Sequence, residues 1–125
     1  MATTKKPEGF QTVCPYFLVS DALQFMAFVK TVFDAEEVLV HKDDDGRVLH
    51  AEVRIDDSVI MFGNSTDAFP PETGAVFMFV NDTDAVYKKA LAAGATSRQE
   101  PATKDYGRAA GIFDPWGNSW WITAV

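Results

Sequence analysis

Cys14-Pro15-Tyr16-Phe17-Leu18-Val19-Ser20-Asp21 leads into Ala22-Leu23-Gln24-Phe25-Met26, and its counterpart, Ala75-Val76-Phe77-Met78-Phe79-Val80-Asn81-Asp82, lies 61 residues further on. In each copy a strand-like apolar run ends at an aspartate placed to cap a helix. After Asp21, the residues Phe25, Met26, Val29, Val32 and Phe33 recur at intervals of three and four and predict one apolar helix stripe. After Asp82 or Thr83, a second helix is predicted as far as about Ala93, with Gly94 ending it.

Working outward, each helix is followed by three strand-like segments. In the first copy these are Glu37–Lys42, Arg47–Ile55 and Ser58–Gly63, joined by the turns Asp43-Asp44-Asp45-Gly46 and Asp56-Asp57. In the second they fall near Thr96–Gln99, Arg108–Phe113 and Ser119–Ala124, the last two joined by Asp114-Pro115-Trp116-Gly117-Asn118. Gly46-Arg47 and Gly107-Arg108 keep the same offset of 61 as Val19 and Val80. The expected fold is therefore α+β: two βαβββ modules of mixed sheet in a single domain spanning 1–125. Module one covers about 10–64 and module two about 74–125, with 1–9 as a flexible tail and the Asn64–Thr73 loop as the seam. A helix covers one face of each sheet, so two modules can enclose a pocket with the faces left open.

Composition limits what such a pocket could hold. The 125 residues are 47% hydrophobic, with ten Phe, three Trp and three Tyr, enough for a core and for a pocket lined by rings. A net charge of −7 argues against nucleic acid or an anionic membrane as partner; it either favours a cationic ligand or serves only solubility. A single cysteine excludes an internal disulfide framework and fits a reducing, cytoplasmic setting. The first nine residues lack a signal-peptide core, and the apolar runs are strand-sized, so no membrane span is expected.

The repeated unit, in this order and spacing, resembles the vicinal oxygen chelate superfamily (glyoxalase, bleomycin resistance, dioxygenase), and most closely its PhnB-like branch. The residues that carry the likeness are Val13–Asp21, Asp45–Glu52, Val80–Ala85, Ala92–Ala95 and Asp114–Trp120. The resemblance implies a cupped sheet of paired modules and, commonly, a homodimer; whether modules pair within a chain or between two chains stays open. It also implies four metal positions, which fall here on Cys14, near Met61, on Ala75 and on Trp121. A divalent Lewis acid needs at least three converging N or O ligands, and these four residues do not supply them. No metal and no cofactor is expected.

The open faces carry the remaining candidates. Along Arg47–Ile55, alternation puts Leu49, Ala51, Val53 and Ile55 on the helix-covered side and His50, Glu52 and Arg54 on the other. His50 and Glu52 are candidate acid–base catalysts, unless the face is merely solvated and Arg54 pairs with Glu52. Facing them, Cys14, Tyr16 and Leu18 should share a wall with Val59 and Met61, with Ala75, Phe77 and Phe79, and with Ser119, Trp121 and Thr123. The ligand-binding candidates are Cys14, Tyr16, Arg54, Met61, Phe77, Phe79, Tyr106, Trp116 and Trp121. Trp116 could stack on a ligand or plug a dimer seam, and Tyr106 could form a rim or lid. The expected activity is metal-independent binding of a small aromatic or cationic molecule, as in bleomycin-resistance proteins. The alternatives are a glyoxalase-like lyase, isomerase or dioxygenase with a non-standard metal site or His50/Glu52 chemistry, and a scaffold acting through protein contacts.

Overall fold

The structure is a computed structural model that describes residues 3–125. The first module runs β1 (Tyr16–Val19), α1 (Ala22–Phe33), β2 (Glu36–Lys42), β3 (Val48–Ile55) and β4 (Ser58–Asn64). The second runs β5 (Ala75–Phe79), α2 (Thr83–Ala92), β6 (Thr96–Lys104), β7 (Gly107–Phe113) and β8 (Ser119–Ala124). Each module is a four-stranded mixed sheet, ordered β1-β4-β3-β2 in one and β5-β8-β7-β6 in the other. In both, the first strand lies parallel to the last and the other pairings are antiparallel. The fold is α+β with two βαβββ modules, as the element order predicts.

The repeat extends to backbone geometry. Asp21 and Asp82 both adopt φ −141° with ψ 93° and 95°, and each carboxylate accepts from the amide three residues on, Gln24 or Ala85, at 3.1 Å. Each module also carries a bulge at the same place in its edge strand. Val38 is the unpaired residue between Glu37 and Leu39 of β2, and Arg98 is its equivalent between Ser97 and Gln99 of β6.

Three local expectations change. The first strand starts at Tyr16 rather than Thr12, because the chain turns before Pro15 and the Gln11 side chain clasps the Val59 backbone from both sides (2.6 and 3.1 Å). Val59 is completely buried, although its parity puts it on the open face. Second, β6 continues past Gln99 to Lys104 and includes Pro101, which an edge strand tolerates because its outer N–H needs no partner. Third, Leu49 does not join Ala51 and Val53 under the helix. The register slips between His41↔His50 and Lys42↔Val48, so Leu49 is left unpaired and 59% exposed while Val48 takes its place in the core. Gly63 permits this bulge, since a Cβ there would meet the Leu49 carbonyl oxygen at 2.6 Å.

The two modules share one core. Apolar residues from the helix-covered face of each sheet join the inward stripes of α1 and α2 in a single cluster. Phe17 of β1 stacks on Trp120 of β8 (5.6 Å between centroids), Phe33 of α1 lies 4.6 Å from the same indole, and Phe25 packs edge-on to Phe62. Burying these rings supplies much of the driving force for module pairing, at roughly 25 cal/mol per Å² of apolar surface. The consequence for function is geometric. Both helix-covered faces contribute to this one core, so the opposite face of each sheet is left outside it.

Of the segment 1–9 expected as a flexible tail, residues 1 and 2 lie outside the described residues; further on, the Phe10 amide donates to the Pro7 carbonyl (3.3 Å) and Arg54 Nη1 to the Gly9 carbonyl (2.8 Å). Among the described residues no helix is long and apolar enough to cross a membrane.

Candidate functional site

The outward faces are chemically different. On module one, β3 presents His50 and Glu52, with Tyr16 of β1 and Met61 of β4 beside them, Met61 pairing with both Tyr16 and Glu52 in the ladder. His50 Nε2 lies 2.8 Å from Glu52 Oε2, and the Tyr16 ring is 5.6 Å from the imidazole. The Glu52 side chain is only 12% exposed and that of His50 is 30% exposed. A carboxylate so enclosed needs a hydrogen-bond partner, and here the histidine provides it. Of the two readings of this face, Glu52 pairs with His50 rather than with Arg54, whose guanidinium is engaged by Gly9.

On module two the equivalent positions are aromatic. Phe77 takes the place of Tyr16, and Trp121 that of Met61, paired with Phe77 and with Gly111. Gly111 stands where module one has Glu52. A Cβ at Gly111 would lie 2.8 Å from the Trp121 ring carbons, so the missing side chain is what allows the indole to lie flat on the sheet. Phe77 and Phe79 are 54% and 69% exposed with their rings 5.5 Å apart, an apolar surface that water does not favour. They also border a groove of about 440 Å³ along the β5 edge, shared with Val13, Pro15, Ile60 and Trp120.

Of the sequence candidates, the structure groups Tyr16, His50, Glu52 and Met61 on one face and Phe77, Phe79 and Trp121 on the other. Cys14 stands just ahead of β1, half-buried, its thiol donating to the Gln11 carbonyl at 3.4 Å. Tyr106 is exposed in the turn between β6 and β7. Trp116 is not on either open face. Its ring packs on α1 against Phe25 and Phe28 (5.3 and 6.0 Å), on the helix side of the sheets, so core packing accounts for it. Thr123, expected on the open wall, is buried beside Phe79, and its hydroxyl has no hydrogen-bond partner among the described residues.

Two residues of the aromatic face escape sequence reasoning. The Arg98 guanidinium lies over the rings of Phe113 (4.8 Å) and Trp121 (4.9 Å), and Nη1 donates to Ser119 Oγ at 3.2 Å. Arg98 was hidden because β6 has no regular alternation: the bulge that turns its side chain leaves no periodic signal. Phe113 ends a strand whose small residues, Ala109, Ala110 and Gly111, mask the alternation.

A family model described as the Glyoxalase/Bleomycin resistance protein/Dioxygenase superfamily matches residues 12–122. The chain belongs to this superfamily. Uncharacterized proteins of Mycobacterium bovis and Mycobacterium tuberculosis are 29% identical over 118 residues, covering 85% of this chain and 78% or 69% of theirs. Among solved structures, a PhnB protein of Bacillus cereus superposes with TM-score 0.77 at 19% identity, over 92% of this chain and all (100%) of that one. TioX of Micromonospora sp. ML1 superposes with TM-score 0.75 at 21% identity, over 91% and 98%. At these identities the structural likeness extends to the fold. The metal implied by the superfamily does not fit the residues here. Cys14, Met61, Ala75 and Trp121 bring one thiol, a thioether, a methyl and an indole, and among the described residues no cluster of three His, Cys, Asp or Glu is placed to hold an ion.

Proposed function

We propose that this superfamily member is a metal-independent binding protein that takes up a small aromatic or cationic molecule between open sheet faces of a homodimer. The observation that supports it is the Phe77–Phe79–Trp121 surface, an aromatic floor of two exposed phenylalanines and a half-buried tryptophan with few polar points, which suits a planar ligand. In this reading a second copy of the chain brings a module-one face opposite a module-two face. Such pairing also covers apolar area that a monomer leaves in water. The test is a panel of planar aromatic compounds, followed by thermal shift and tryptophan quenching. Saturable binding without consumption of the compound, lost in Trp121→Ala, is expected; a panel that moves neither signal refutes the reading.

A second reading rests on the 2.8 Å His50–Glu52 pair with the Tyr16 ring alongside. A carboxylate-oriented imidazole beside a phenol can shuttle a proton on a bound substrate. It predicts turnover of some member of the panel that is abolished in His50→Gln, whose amide N–H keeps a donor for Glu52 and so keeps the chain folded.

A further inference from the structure

We infer that Arg98 is the anchor for an anionic group, so that the molecule taken up by the aromatic face is a planar aromatic carboxylate rather than a cation. The inference rests on the binding reading above and names the ligand class of that same site. Four observations carry it.

The first is the local charge. The chain has 18 acidic against 11 basic side chains, yet among the described residues no carboxylate lies within ion-pair distance of Arg98. In a protein with so many carboxylates, an unpaired guanidinium on an otherwise apolar face is open to an outside partner. The second is its fixation. Two rings and the Ser119 hydroxyl hold the group in place, so less conformational entropy remains to be lost on binding than for a free surface arginine.

The third is the free hydrogen-bonding capacity. Among the described residues only Nη1 has an acceptor, so Nε and Nη2 keep their donors for a ligand, in the planar fork that matches a carboxylate. The fourth is the comparison between modules. Both have the same bulge, but module one places Val38 there and module two Arg98, while Gly111 replaces the carboxylate that Glu52 supplies in module one. The negative partner is missing at the position where the positive side chain is present. A ligand carboxylate on Arg98 leaves its ring beside Trp121 and toward Phe77, the paired residue.

Calorimetric titrations of wild-type protein with 2-naphthoate, neutral 2-naphthalenemethanol and cationic 2-naphthylmethylamine test this directly. The carboxylate is expected to bind about ten- to a hundredfold more tightly than the alcohol, and the amine more weakly than either. In Arg98→Gln, which keeps much of the apolar stem, the preference should fall to within about twofold, and Arg98→Lys should restore only part of it. Equal binding of carboxylate and alcohol by the wild type overturns the anion anchor and leaves the aromatic cup standing. Failure of all three compounds to bind overturns both. A preference that survives in Arg98→Gln refutes the assignment to this residue, and because the wild-type comparison needs no variant, it holds even if a substitution lowers stability.

Discussion

Replacing Asp114 by alanine should cost the fold about 3–4 kcal/mol. Asp114 is 4% exposed and heads the turn between β7 and β8. Its carboxylate accepts from the amides of Trp116 and Asn118 (both 2.9 Å), from Asn118 Nδ2 (3.0 Å) and from Trp120 Nε1 (2.9 Å). Asn118 in turn accepts from the Gly74 amide at 2.8 Å, so the network ties the turn to the start of module two. Alanine leaves three of these donors buried without a partner: the Asn118 amide, Asn118 Nδ2 and Trp120 Nε1. Each such donor costs about 1–3 kcal/mol, and a water entering the vacated space can satisfy some of them, which sets the sum near the low end. For a domain of this size the loss corresponds to a melting temperature lower by about 10–15 °C. Asp114→Asn keeps one acceptor oxygen for the turn amides but directs an amide N–H at existing donors, so it should lose roughly half as much. Circular dichroism with urea and thermal melts measures both. A loss below about 1 kcal/mol for alanine would show that the network is not what holds β7 to β8 and Trp120 in the core.

Other outcomes follow from the same geometry. Gly111→Ala pushes a methyl into the Trp121 ring, so it should change the near-ultraviolet tryptophan signal and weaken aromatic ligand binding by about tenfold, while overpacking offset by lower backbone entropy costs only about 1–2 kcal/mol of stability. In the proposed homodimer the second copy covers the exposed Phe79 ring, so Phe79→Asp should give a monomer by sedimentation equilibrium where the wild type is a dimer. Asp84 is held below its ordinary 3.8 chiefly by the hydrogen bond from Arg108, whose own pKa is raised by the same contact. A depressed carboxylate contributes fully above its unfolded pKa and loses that contribution as pH falls through the folded value, so the melting difference between wild type and Asp84→Asn should be present at about pH 6 and shrink as the pH is taken below the ordinary carboxylate range.

The fold was legible because its signals are local and repeated. Asp21 and Asp82 mark the helix starts, the Phe25–Phe33 stripe marks the buried side of α1, and the spacing of Val19, Gly46 and their partners carries the duplication. Leu49 was misplaced because a bulge inverts the alternation on which face assignment depends, and the same device hid Arg98. Trp116 illustrates a different limit. A tryptophan in a turn has no periodicity to say which side it packs on, and only the tertiary meeting of the β7–β8 turn with α1 decides it. The two-face character of the candidate site was half visible: His50 and Glu52 stand out by chemistry, whereas the role of Gly111 follows from a close approach that no single residue announces.

The most direct measurement is a calorimetric titration of a planar aromatic compound into protein dialysed against a chelator, repeated after adding back Ni²⁺, Zn²⁺, Mn²⁺ or Fe²⁺. The account predicts saturable binding of the same affinity with and without metal. Binding that appears only after a metal is restored would contradict it and return the protein to the metal-dependent chemistry of its superfamily.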